Sequence, residues 1–290
     1  MRFCPLHEAH IPFYIITIRT MTSRIEKPKA ASLTVALLQT DIALTSAEEN
    51  VRRALHLMDR TPGADLYVLP EMWGTGFNPR PGIREQEEAA QALTWMAAEA
   101  ANRQCAVAGS LPVFDKTGNK WRNRFYFITP NGTFHYDKRH LFAPGGEAEN
   151  YTAGTRRTVV EWRGWRILLQ VCYDLRFPVF ARNRDEYDFA LYVANWPASR
   201  QEVWRVLLRA RAIENQCYVA GVNRVGTDMF GTTYAGGTEL IDAKGNVVAA
   251  TNDAGHEEAV CTQLDIDGLR RFRQKFPVLA DADDFQLSLS

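Results

Sequence analysis

The strongest constraint on this chain is a rhythm. Short runs of strand-forming apolar residues alternate with stretches whose apolar residues return at helical spacing, from about residue 32 to residue 275. SLTVALLQ (32–39) and ADLYVLPE (64–71) read as buried strands. Between them, Thr45 and Ser46 are each followed three residues later by a glutamate. These are overlapping capping boxes for a helix striped by Val51, Leu55 and Met58. A second helix is expected over roughly 86–103. CAVAGSLPVF, RFYFITP and TFHYDKRHL then read as strands, the last two joined in a hairpin at Asn131-Gly132.

The second half has a similar rhythm. TVVEW and WRILLQVC flank a turn at Arg163-Gly164, and DFALYVANW is a further strand. The stretch 200–215 is a helix striped by Val203, Leu207 and Ala210. CYVAGVNRVG, TELIDAKGNVVAAT and EEAVCTQLD complete the strands. The pattern predicts one α/β domain over 31–275, its strands in a mixed sheet or in two sheets face to face. Helices with one apolar stripe would cover the outer faces. Residues 276–290 form a C-terminal tail expected to pack on a neighbour or wrap the surface.

Composition narrows the partners. Of 290 residues 46% are hydrophobic, enough for a large core, and 34 Lys plus Arg balance 34 Asp plus Glu. That balance gives no electrostatic hold on nucleic acid or an anionic membrane, so the expected partner is a small molecule or a second copy of the chain. The run Ile11 to Ile18 is broken by Pro12, lacks an A-x-A-like cleavage site and is too short to span a bilayer. Residues 1–30 therefore read as an N-terminal extension outside the fold. Five scattered cysteines without a C-x-x-C pair suit neither a disulfide framework nor a zinc site and point to a reducing, cytoplasmic setting.

In α/β proteins chemistry gathers at the carboxyl ends of strands, which directs attention to three of them. Glu71 follows Leu66 to Pro70 and would sit at the mouth of a buried strand, where desolvation favours a general base; a loop-capping or rim glutamate is the plainer reading. Lys138 interrupts an aromatic strand in FHYDKRHLF, either as an ordinary edge-strand charge or as a fixed cation for an oxyanion. Cys172 closes the run in LLQVCYDLRFP, either as an inert core thiol or as a nucleophile on a sharp turn, activated by a base and a positive neighbour.

LPEMWGTGF, DKRHLF and CYDLRFP, in that order, resemble the three motifs of the nitrilase or carbon–nitrogen hydrolase superfamily, and the resemblance runs from Val35 to Phe285. It implies a four-layer αββα sandwich and a catalytic Glu71–Lys138–Cys172 triad. It also implies support from Glu147 and from the backbone N–H of Tyr173. No metal or organic cofactor is implied. CYDLRFP followed by Val179 and Phe180 differs from the C-W-E-N of true nitrilases and the C-N-D-R-W-P-E of many carbamoylases. With VANWP (193–197), RARAIENQCYVAGVNRVG (209–226) and the tail QKFPVLADADDF, it is similar to the omega-amidase branch. The implied substrates are omega-amides of 2-oxo dicarboxylic acids.

Such a substrate carries a carboxylate remote from the amide, which a guanidinium grips bidentately. Arg176 is the candidate, with a structural salt bridge to Asp174 or Asp185 as the alternative. Asn195, Trp196 and, after the Gly74–Thr75–Gly76 turn, Phe77 are candidate pocket residues. The rival activities are a beta-ureidopropionase-like carbamoylase, a general aliphatic amidase and a silent binding subunit. His135 and His140 lack further ligands at metal-binding spacing. Arg205, Arg209 and Arg211 read as a solvated or dimer-facing helix side, and the resemblance implies a homodimer.

Overall fold

The computed structural model describes residues 32–44, 46–252 and 255–286. The extension 1–30 and the Thr45 capping box lie outside the described residues.

The first half contains β1 (Ser32–Gln39), α1 (Ala47–Asp59), β2 (Leu66–Val68), α2 (Ile83–Arg103), β3 (Ala106–Asp115), β4 (Lys120–Thr129), β5 (Gly132–Asp137) and the single turn α3 (Glu147–Asn150). The second half opens with β6 (Val159–Trp162), β7 (Trp165–Val171), the short α4 (Pro178–Ala181), β8 (Phe189–Ala194), α5 (Gln201–Glu214) and β9 (Tyr218–Asn223). It closes with β10 (Val225–Thr227), β11 (Thr233–Ala235), β12 (Glu239–Ile241), β13 (Val247–Ala250), β14 (Glu258–Asp265) and α6 (Ile266–Lys275).

Two six-stranded sheets share one plan, ordered β14-β1-β2-β3-β4-β5 and β13-β12-β9-β8-β7-β6. In each, a parallel trio is flanked by antiparallel strands: β1, β2 and β3 in the first, β7, β8 and β9 in the second. Strand parity builds the layers. Leu33, Val35 and Leu37 of β1 meet Ile167, Leu169 and Val171 of β7 and Leu191 and Val193 of β8 in a core between the sheets. The alternate residues Ala36, Leu38, Tyr67 and Val107 pack under Ala54, Leu57 and Met58 of α1 and Ala92 and Met96 of α2. On the other outer face, Leu168, Ala190 and Tyr192 receive Trp204, Leu208 and Ala212 of α5. The result is a four-layer αββα sandwich whose central strands are apolar on both faces.

Both helix stripes differ from the sequence expectation, for one reason. The buried face of α1 runs through Asn50, Ala54, Leu57 and Met58, leaving Val51 and Leu55 only partly covered. That of α5 runs through Trp204, Leu208, Arg211 and Ala212, leaving Val203 exposed and Leu207 and Ala210 partly covered. Each true stripe contains a polar residue that tertiary partners satisfy. Asn50 donates to the carbonyls of Ala43 and Gly74, at 2.9 and 3.1 Å. Arg211, expected on a solvated side, donates to the Leu175 carbonyl at 2.5 Å. Hydrophobic periodicity scores such residues as outward-facing. Ser46 caps α1 as expected, its Oγ accepting from Glu49 N at 3.1 Å, worth about 1 kcal/mol.

The tail lies back on its own chain. Gln216 donates to the Phe276 carbonyl at 2.7 Å, and the Arg184 guanidinium covers the Phe285 ring at 4.4 Å. Among the described residues no helix is long and apolar enough to cross a membrane.

Candidate active site

The parallel strands place their carboxyl ends together. Glu71 follows β2, Cys172 follows β7 and Asn195 follows β8, while Lys138 follows β5, which runs in the same direction as β3. Two sharp backbone turns aim the residues. Cys172 has φ of 46° and Met72, directly after Glu71, has φ of 50°. This left-handed region costs a non-glycine residue roughly 1–3 kcal/mol and persists only where surroundings enforce it. At Met72 the buried Ser110 Oγ accepts the backbone N–H at 3.0 Å. At Cys172 the chain turns straight from β7 into one 3-10 turn over Cys172–Arg176, and Tyr173 N–H lies in its first turn, where backbone donors have no intrahelical acceptor.

The side chains meet in a buried network. Lys138 Nζ donates to Glu71 Oε1 and to Glu147 Oε2, both at 2.9 Å, and all three residues are at most 1% exposed. Asn123 of β4, which sequence reasoning missed, donates its Nδ2 to Glu71 Oε1 at 2.7 Å and to Glu147 Oε1 at 3.0 Å. Glu71 Oε2 accepts the Asn195 N–H at 2.9 Å, and Glu147 Oε2 accepts the Phe142 N–H at 2.6 Å. Burying charge is tolerable only with this degree of pairing.

The electrostatics follow from the inventory of two carboxylates and one ammonium. Burial by itself disfavours the Lys138 charge, but Glu147 and Glu71 outweigh it and raise its pKa well above the ordinary lysine value. Burial, then the Glu71 carboxylate, push the Cys172 thiol well above its ordinary value, with Lys138 opposing them. Both shifts favour a charged lysine beside a protonated thiol. Its Sγ lies 3.9 Å from the Asn195 carbonyl oxygen.

Asp174 locks this geometry. Its buried carboxylate accepts from Val171 N at 2.9 Å, His140 N at 2.9 Å and Tyr136 Oη at 2.9 Å, and lies 2.8 Å from His140 Nδ1. One side chain thus ties residues on both sides of Lys138 to residues on both sides of Cys172. This settles the alternative for Arg176. Asp174 is occupied here, and Asp185 pairs with Arg166 and Arg273 at 3.2 and 3.1 Å. Arg176 instead stacks its guanidinium on the Trp196 ring, 4.9 Å from the centroid.

A cavity of about 430 Å³ opens over Cys172. Glu71, Lys138, Cys172 and Tyr173 line it, as do Phe77, Arg176, Asn195 and Trp196, while Glu147 sits behind the lysine. Asn195 also holds Glu71, its Nδ2 donating to the Glu71 carbonyl at 3.0 Å. Sequence reasoning missed Phe142, Arg200 and the β10–β11 ribbon, which adds Asp228, Phe230 and Tyr234. Phe142 belongs to DKRHLF itself; for the ribbon and Arg200 no local signal existed.

A model of the carbon-nitrogen hydrolase family matches residues 34–274. The Omega-amidase YafV of Escherichia coli K12 is 45% identical over 262 residues, 88% of this chain and 98% of that protein. The 2-oxoglutaramate amidase of Bacillus subtilis is 32% identical, over 86% of this chain and 96% of that protein. The crystal structure of XC1258 from Xanthomonas campestris, a CN-hydrolase superfamily protein with an arsenic adduct in its active site, superposes with a TM-score of 0.81. It is 38% identical, covering 89% of this chain and 99% of that one.

Proposed function

The chain belongs to the carbon–nitrogen hydrolase family, and from that premise we propose that it hydrolyses the omega-amide of 2-oxo dicarboxylic acid monoamides, releasing ammonia through a thioester on Cys172. One observation carries the reading: a buried carboxylate–lysine network closes over a thiol on a strained elbow, in a cavity rimmed by the stacked Arg176.

The steps follow from the resting charges. Sγ of Cys172 attacks the amide carbon as its proton passes to Glu71, because the thiol is not ionised beforehand. Lys138 Nζ and Tyr173 N–H hold the oxygen of the tetrahedral adduct. Collapse breaks the C–N bond while Glu71 returns its proton to the nitrogen, and ammonia leaves. Water then gives a proton to Glu71 and its hydroxide to the thioester carbon. Breakage of the C–S bond yields the acid, and the sulfur recovers the proton from Glu71. Glu147 keeps Lys138 charged and in place, and Asn123 fixes Glu147 by donating to it.

Arg176 favours a substrate with a distal carboxylate, and the names of the two curated relatives point the same way. The test is ammonia release from 2-oxoglutaramate, N-carbamoyl-β-alanine and butyramide, each with wild type, Cys172→Ala and Arg176→Ala. Release from 2-oxoglutaramate should dominate, vanish in Cys172→Ala and fall at least tenfold in Arg176→Ala through a raised KM. A wild type preferring the carbamoyl compound or the neutral amide would replace the substrate reading with a carbamoylase or an aliphatic amidase.

The outer side of α5 carries Val203, Val206 and Ile213, all exposed, on a helix whose other face is already buried. An apolar stripe of this kind on a surface helix suits pairing with a second copy. The expected particle is a homodimer in solution, and sedimentation equilibrium showing the 32.9 kDa of one chain would refute it.

A further inference from the structure

Arg200 ends the 3-10 turn Ala198–Arg200 that follows β8, and its guanidinium sits on the cavity rim, 5.7 Å from the centroid of the Phe142 ring. It is tied to Arg176 through one residue. Trp196 carries the Arg176 guanidinium on its ring face, and its Nε1–H donates to the Arg200 carbonyl at 2.8 Å. Two aromatic-backed guanidinium groups therefore face one cavity. Among the described residues neither has a carboxylate partner or donates a hydrogen bond to the protein. Besides Glu71, the acid in the lining is Asp228, and it is already used. Asp228 accepts from Phe230 N and Thr232 N, both at 2.9 Å, and from Tyr234 Oη at 2.7 Å.

A single distal carboxylate needs one such fork. Two forks fit a wider acceptor. A 2-oxo acid offers two carboxylate oxygens and a ketone oxygen in nearly one plane, with one negative charge and no donor. We propose that Arg200 is a specificity-determining residue that reads the 2-oxo group beside the carboxylate held by Arg176 and so excludes 2-amino acid amides. This rests on the omega-amidase reading. In L-glutamine an ammonium replaces the ketone oxygen, removing an acceptor and setting a cation against Arg200, a like-charge placement that binding sites use to reject a wrong partner.

The experiment compares kcat/KM for 2-oxoglutaramate, glutaramate (carboxylate, no ketone) and L-glutamine in wild type, Arg200→Ala and Arg200→Lys. In Arg200→Ala the 2-oxoglutaramate value should fall about 10- to 100-fold, mainly through KM. Glutaramate should fall by no more than a few-fold, and the preference for 2-oxoglutaramate over glutamine should narrow roughly a hundredfold. Arg200→Lys should keep most of the discrimination against glutamine, because the charge remains. Equal losses on 2-oxoglutaramate and glutaramate, or an unchanged glutamine ratio in Arg200→Ala, would overturn the assignment of Arg200 and leave the omega-amidase reading standing. A wild type inactive on 2-oxoglutaramate would remove both.

Discussion

Glu71→Gln is expected to slow amide hydrolysis by roughly 10²- to 10⁴-fold while making Cys172 easier to alkylate at neutral pH. The two effects point in opposite directions because Glu71 acts on the thiol in two ways. In the proposed mechanism it is the base that accepts the thiol proton during attack, a role glutamine cannot take. As a buried negative charge it is, after burial itself, the largest cause of the raised thiol pKa. Removing the charge leaves Lys138 and burial in competition, so the pKa falls and the thiolate fraction at pH 7 rises. Glutamine keeps an oxygen for Lys138 and Asn123 but turns an N–H toward the Asn195 N–H, a loss of about 1–3 kcal/mol, so melting must be followed alongside. Iodoacetamide labelling against pH gives the thiol titration, and ammonia release gives the turnover. Retained hydrolysis would remove Glu71 from the base role. A thiol titration unchanged from wild type would mean that its charge does not govern the sulfur.

Lys138→Met should remove activity and also destabilise the fold by roughly 3–5 kcal/mol, or about 10 °C in melting temperature. The loss is large because Glu71 and Glu147, both fully buried and both bonded by Asn123, would lose their shared cation. Removing one partner of a buried ion pair leaves uncompensated charge, which is the source of the expected loss. Thermal melts of variant and wild type check it, and an unchanged melting temperature would contradict the account.

The site was partly legible before folding because three of its residues break a local rule. Glu71 and Cys172 stand where buried strands end, and Lys138 follows the aromatic run FHY, so a charge or thiol in each place is conspicuous. Asn123 and Asp174 are as deeply buried and bond as many partners, yet neither stands out. Asn123 sits inside a strand that already reads as mixed, and Asp174 among other charges. Their importance lies in partners far along the chain: Asn123 and Glu71 are 52 residues apart, Asp174 and Tyr136 are 38 apart, and Asn195 and Glu71 are 124 apart. Arg200 was hidden for the same reason, because only the packing of Trp196 brings it beside Arg176.

By itself the sequence determined most of the strand and helix order, though not α6 or the division of 217–226 into β9 and β10, because side-chain alternation and capping are local properties that a chain carries wherever it folds. It also determined which strand ends hold chemically unusual residues. The tertiary structure decided which helix stripe is buried, since Asn50 and Arg211 turn inward only when distant carbonyls accept their protons. It decided the protonation of the site too, because the pKa shifts of Cys172 and Lys138 arise from burial and from charges brought in from other strands and loops. Those are energies of juxtaposition, and they exist only once the two sheets have closed on each other.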